Sequence, residues 1–269
     1  MRSTIVLFIL TFAIFGLLLG LAESFDIRGD GLDLAAASVE TTIAGYVDAM
    51  QVSSELPQVK STGHLESIST AQMGIPEDLD VEKRQAARQL LAEHPAFESV
   101  FFLTPAGDVY LGEPFEQQEQ LPRLNYADRD WYVGVNSTRA PYVSSVFMSA
   151  AINAPAVAVA VPVMTQDQVT GYWVAIVDLG DIKSRLAEFS GVSRILLIDH
   201  NATEIADTAR TEQLTELRSF ASLESANRAL AGEKGAAVEV IDGVTVNTRF
   251  APVAASPNTW GIIFFGFQD

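Results

Sequence analysis

Two stretches of this chain have the same form. Glu98 to Glu113 reads ESVFFLTPAGDVYLGE and Ser193 to Ala209 reads SRILLIDHNATEIADTA. In each, an apolar run, a short turn of Pro, Gly, Asp or Asn and a second short run predict a β-hairpin. Each copy later acquires a matching ending, AVAVAVPVMTQDQVTGYWVAIVDL from Ala156 to Leu179 and VTVNTRFAPVAASPNTWGIIFFGF from Val244 to Phe267. Both endings are two β-rich runs joined through Pro-Val and a polar loop. The repeat therefore predicts two sheet modules in tandem rather than one large domain. A length of 269 residues gives each module roughly 90 to 130, enough for a compact core.

A hydrophobic content of 48% supports two such cores. The formal charge of -17, from 34 Asp and Glu against 17 Lys and Arg, excludes the basic footprint that nucleic acid needs. It also disfavours docking on an anionic lipid surface. With no cysteine there is no disulfide, thiolate metal site or cysteine nucleophile. Location is read from the first residues, where Arg2 precedes an apolar run from Ile5 to Ala22. That run is long enough to span a bilayer as a helix, and Gly20-Leu21-Ala22 is a small-x-small site that a signal peptidase could cut before Glu23. An uncleaved anchor and a cleaved signal peptide both place the rest of the chain outside the cytoplasm. No second apolar span follows, and the last strand is expected to end at Phe267, so no cytoplasmic output domain is expected in this sequence.

After a Gly/Asp-rich link from Asp26 to Asp33, Leu34, Val39, Ile43, Val47 and Met50 predict a long amphipathic helix bounded by Pro57. Its apolar stripe suits either a homodimer contact or burial against its own modules. A second helix is expected from about Asp78 to Glu93, opened by Pro76-Glu77-Asp78 and closed by Pro95. Ile182 to Phe189 reads as a short helix joining the modules, and Leu223 to Leu230 as another. The divisions that follow are 1–22 as signal peptide or anchor, 23–77 as linker and long helix, 78–190 as the first module and 191–269 as the second. Asp26 to Gly31 resembles the start of a calcium loop, but Arg28 replaces a ligand and Ala37 stands where the bidentate Glu belongs. His64, His94 and His200 lack metal spacing. Nucleophile elbows, phosphate loops and dinucleotide fingerprints are absent from the sequence, so neither metal nor cofactor is expected. An exported hydrolase working through paired carboxylates, which leave no local signature, and a ligand-free scaffold remain as alternatives to a binding module.

The segment NYADRDWYVGVNSTRAPYVSSVFM, Asn125 to Met148, collects Arg129, Trp131, Tyr132 and Tyr142. Flat aromatic walls with one bidentate cation are the materials of a small-molecule pocket. They are equally the materials of an aromatic core with Arg129 paired to Asp128 or Asp130. Tyr126-Ala127-Asp128-Arg129-Asp130-Trp131-Tyr132, Ala140-Pro141-Tyr142-Val143-Ser144, Ala156 to Val163 and Gly171 to Leu179 together resemble the extracytoplasmic double Cache (dCache) sensor family, over about Leu34 to Phe267. The resemblance implies an α+β fold in which a long N-terminal helix leads into two PAS-like antiparallel-sheet modules. It further implies a small organic ligand, a carboxylate or an amino acid, in the membrane-distal first module. The membrane-proximal second module would act as spacer or transmitter, with a separate signalling partner protein and no enzymatic activity. In the family's amino-acid-binding members an Arg-x-Trp takes the ligand carboxylate, while a Tyr with an Asp two residues on, and a later Asp, take the amine. By that resemblance Arg129 and Trp131 match, Tyr142 stands for the Tyr, and Asp178 for the last Asp, with Tyr132 supporting the fold. Ser144 occupies the place of the acidic partner after the Tyr.

Overall fold

The computed structural model describes residues 27–150, 154–191, 193–210, 216–241 and 243–266. The apolar run Ile5–Ala22, Asp26 and Phe267 lie outside the described residues.

Helix α1 (Ile27–Ser54) begins within the stretch expected as a link. Leu32, Ala35, Val39, Ile43, Val47 and Met50 are all buried, and their three- and four-residue spacing keeps them on one face. Leu34, expected on this stripe, is 58% exposed. It stands five positions before Val39, and at 3.6 residues per turn that spacing carries it off the buried face. Pro57 opens the short α2 (Pro57–Lys60). Helix α3 (Val81–Glu93) starts three residues later than expected, because Asp80 adopts a left-handed φ of 50°. The Asp80 carboxylate accepts a 2.8 Å hydrogen bond from the Tyr110 hydroxyl and lies 3.6 Å from Lys83.

Lys83 and Arg84 are both fully buried at 0% exposure. Lys83 sits 3.8 Å from the centre of the Phe102 ring and donates to the Ser61 carbonyl. Burial pushes its pKa down from 10.5 to about 8, against the opposing pull of Asp80. The unfolded chain holds this proton up to about pH 10.5, whereas the fold releases it near 8. Between those values the unfolded state binds more protons, so stability is expected to rise with pH. Denaturation of Lys83→Met should show that rise flattened, and a slope equal to the parent's would contradict the assignment.

The first sheet is built from β1 (Phe97–Leu103), β2 (Val109–Glu113), β3 (Tyr142–Val143), β4 (Phe147–Ser149), β5 (Ala154–Thr165) and β6 (Gln168–Asp178). Helices α4 (Phe115–Glu119) and α5 (Asp130–Thr138) lie between β2 and β3. Its strand order is β2-β1-β6-β5-β3, with β4 also on β5, and every pairing is antiparallel. Helix α6 (Gly180–Ser190) leads to the second sheet of β7 (Arg194–Ile198), β8 (Glu204–Asp207), β9 (Gly235–Ile241), β10 (Val244–Ala255) and β11 (Asn258–Phe265), with α7 (Glu224–Leu230) before β9. The second order, β8-β7-β11-β10-β9, repeats the first. In both, the early hairpin lies beside the last strand, and the short pair β3 and β4 takes the place that β9 holds. The fold is thus the α+β arrangement of a helix and two antiparallel sheets expected from the repeat.

The alternation AVAVAV along β5 decides what each face of the first sheet carries. Val157, Val159 and Val161 point into a core shared with α1, which also takes Val253 of β10 and Trp260 and Ile262 of β11. Ala156, Ala158 and Ala160 point the other way, into a second core with Trp131 and Tyr132 of α5. Alanine leaves room above the sheet for those large rings. Near the meeting of the two sheets, Val143 N donates to Ser256 O at 2.9 Å, Asn258 Nδ2 to Val143 O at 2.8 Å and Val146 N to Asp199 Oδ2 at 2.7 Å.

Candidate ligand site

On the α5 face of the first sheet a cavity is lined by Phe101, Leu103, Val109, Leu121, Tyr126, Arg129, Trp131, Phe147, Ser149, Ala150, Val174 and Ile176. The space that protein atoms leave free within this lining is about 460 Å³, part of it open to solvent. The floor follows from strand parity: Phe101 and Leu103 on β1 and Val174 and Ile176 on β6 are alternate residues of paired strands and share one face. Gly112, opposite Phe101, is required there, since a Cβ would come within 2.4 Å of the Phe101 ring.

The walls come from the turn before α5, from the first turn of α5 and from β4. Tyr126 stacks on Trp131 with ring centres 6.4 Å apart and planes 23° apart. The half-buried Arg129 places its guanidinium 5.5 Å from the centre of the Phe147 ring and 6.0 Å from that of Tyr126, within cation–π range. It forms no ion pair with any described residue. Asp128, its chain neighbour, is instead taken by Arg123 at 2.6 Å, which with the more distant Arg129 holds that carboxyl below its usual range. Asp130 Oδ2 accepts from Ser145 N at 2.8 Å and Ser145 Oγ at 2.6 Å. Tyr126 is 8% exposed; the Arg123 guanidinium lies 4.8 Å from its ring centre and donates toward its hydroxyl oxygen, while the hydroxyl finds no partner of full hydrogen-bond geometry among the described residues. Burial raises the Tyr126 pKa, against the lowering by Arg123 and Arg129, so the hydroxyl keeps its proton at neutral pH and is free to donate it.

Of the residues singled out from the sequence, Arg129 and Trp131 meet at this cavity. Tyr132 lies behind it: its hydroxyl donates to Pro105 O at 2.6 Å and its ring meets Tyr172 edge-on at 5.1 Å. Tyr142 does not line the cavity. Its ring fills the space that a Cβ on Gly134 of α5 would occupy, 2.3 Å from that point, its hydroxyl meets the Asn258 side chain, and the His200 ring lies 6.5 Å away. Ser144, 1% exposed, donates to Ser145 O at 2.6 Å and accepts from Ala158 N at 2.8 Å, which holds the β3–β4 connection on β5. Asp178 has the parity of Val174 and Ile176, but its Oδ2 accepts from Gly180 N at 3.1 Å at the start of α6. Sequence reasoning missed Tyr126 and Phe147 as walls. Their signal was present, since both lie in the aromatic segment and Tyr126 opens its most specific motif.

A model of the Cache domain matches residues 29–265, and the chain belongs to that family, in its double (dCache) form. Membership makes it an extracytoplasmic sensor domain for small ligands. Among solved structures it is similar to an extracellular ligand-binding receptor from Desulfohalobium retbaense (15% identity, TM-score 0.66, 91% of this chain), of which it spans 41%. It is also similar to the ligand-binding domain of the Pseudomonas aeruginosa amino acid chemoreceptor PctB in complex with L-Arg (16% identity, TM-score 0.67, covering 91% of this chain and 95% of that one). A third is the domain of PctC, from the same organism, in complex with GABA (16% identity, TM-score 0.64, covering 90% and 99%). A search of curated proteins returns no match.

Proposed function

We propose that the first module binds a small organic molecule by its acidic group, with Arg129 as the anchor and Trp131, Tyr126 and Phe147 as aromatic walls. One observation carries this reading: an arginine without an ion-pair partner among the described residues is held over two rings on the lining of an apolar cavity. A guanidinium offers two parallel donors to a carboxylate, which a lysine cannot reproduce. The structural relatives solved with L-Arg and GABA, both of which carry a carboxylate, support the same chemistry. The module division falls at Gly191, between α6 and β7, with residues 78–190 holding the ligand and the second module passing its occupancy to a separate signalling protein. Binding and release without turnover, rather than hydrolysis, is the activity. Residues 5–22 serve as anchor or cleaved leader, and the N-terminal mass of the exported chain decides which. No helix among the described residues is long and apolar enough to cross a membrane.

A thermal-shift screen of organic acids, followed by calorimetry, tests the site, because a ligand that binds only the folded state stabilises it. Losing one partner of a desolvated charged pair costs about 2 to 5 kcal/mol, so Arg129→Ala should weaken the best acid by about 30-fold or more. Unchanged affinity in a folded Arg129→Ala protein would remove the cavity from consideration.

A further inference from the structure

We propose that the ligand of this cavity is a short apolar monocarboxylate without an ammonium group, received by Arg129 together with the Tyr126 hydroxyl. The inference rests on the reading of Arg129 given above and narrows it to a chemical class.

Among the described residues the cavity lining holds one cation and no carboxylate. The neighbouring acids stand off the lining: Asp128 pairs with Arg123, Asp130 turns its Oδ2 to Ser145 and keeps its buried Oδ1 unpartnered, and Asp178 Oδ2 accepts from Gly180 N. An α-amino acid would therefore bring its ammonium against Phe101, Val174 and Ile176 with no carboxylate on the lining to pair with it, and an uncompensated charge in an apolar site is strongly disfavoured. A hydrocarbon tail meets the same surface favourably. Besides Arg129 the lining carries two hydroxyl side chains, Tyr126 and Ser149, and Tyr126 is the one that adjoins the guanidinium. Tyr126 is more than nine-tenths buried and lines the cavity, and although Arg123 donates toward its oxygen, its O–H has no acceptor among the described residues, a state that is costly unless something accepts from it. A carboxylate held by Arg129 supplies that acceptor. The bidentate guanidinium and the Tyr126 hydroxyl together satisfy the head group, and the apolar floor takes the tail.

Three molecules with one branched skeleton separate the alternatives: isovalerate, L-valine and isobutylamine, titrated calorimetrically into the full-length protein. Isovalerate is expected to bind, L-valine to bind about 100-fold more weakly or worse, and isobutylamine to give no heat. Tyr126→Phe, which keeps the ring stack on Trp131, should weaken isovalerate by about tenfold or more. L-valine binding as tightly as isovalerate overturns the inference. If Arg129→Ala then abolishes both, the acid-binding site itself stands and only its ligand class is wrong. Failure of isovalerate to bind overturns the inference as well, and the broader reading falls with it only if no acid of the screen binds in an Arg129-dependent way. An undiminished affinity in Tyr126→Phe removes the hydroxyl from the head-group site and overturns the proposal as stated.

Discussion

Arg84→Ala is expected to destabilise the protein by about 3 to 5 kcal/mol, since it takes a buried guanidinium from a buried carboxylate and from several buried carbonyls at once. Arg84 is 0% exposed and gathers the first module around itself. Its Nη1 donates to Gly112 O at 3.0 Å and Glu113 Oε1 at 2.9 Å, and its Nη2 to Ile75 O and Pro76 O at 3.1 Å each. The substitution leaves Glu113, 2% exposed, with Arg88 as its remaining ion partner, and it empties carbonyls on separate segments. Lysine at this position should rescue little, because one ammonium cannot serve a planar fork of acceptors. Urea denaturation reads the effect as a lower midpoint at constant slope. A loss below about 1 kcal/mol, the range of an exposed pair, would show that the network is not needed.

The second large effect is expected at the junction of the two sheets. Asp199 is 0% exposed and accepts from Val146 N of the first module at 2.7 Å and from Asn201 N and Thr203 N of its own hairpin turn at 2.8 Å each. A hydrogen bond to a charged group contributes about 1.5 to 3 kcal/mol, so Asp199→Ala, which leaves these donors unpaired, should cost about 3 kcal/mol or more. The fracture should also be local: Val146 immediately precedes Phe147, a wall of the cavity, so protease sensitivity between β3 and β4 should rise in this variant. Asp128→Ala, which breaks only the exposed pair with Arg123, is expected to leave stability nearly unchanged. Equal stability of the two variants would show that the junction contributes nothing.

Elements whose pattern is local are legible in the sequence alone. The hairpins at Phe97–Glu113 and Arg194–Asp207 and the long pairs β5–β6 and β10–β11 each combine apolar runs with turn residues, which is a short-range signal. The tandem order of the sheets follows because the same signals occur twice. Features set by long-range packing are not legible. Strands β3 and β4 span two and three residues, too short for a period to show, and they exist because β5 offers an edge. The adjacent charges Lys83 and Arg84 carry nothing in sequence that marks them as buried; their partners lie on the Ser61 loop and around Gly112.

The candidate site divides along the same line. Arg129 and Trp131 are legible because they form a compact motif with Tyr126 and Tyr132. Tyr142 and Asp178 stand near that motif in the chain or share the cavity's strand parity. Gly134 draws the first into helix packing, and the amide of Gly180 draws the second to the start of α6. Proximity in sequence and parity in a strand choose a face, whereas the direction of a side chain depends on which partner it finds.

The most direct measurement is a crystal structure of the protein loaded with the tightest organic acid of the screen. The acid's carboxylate should lie about 2.7 to 3.2 Å from the Arg129 guanidinium, with its tail between Trp131 and Phe147 over the floor of Val174 and Ile176. Ligand density in the second module, or in the first with its carboxylate away from Arg129, would contradict this account of the site.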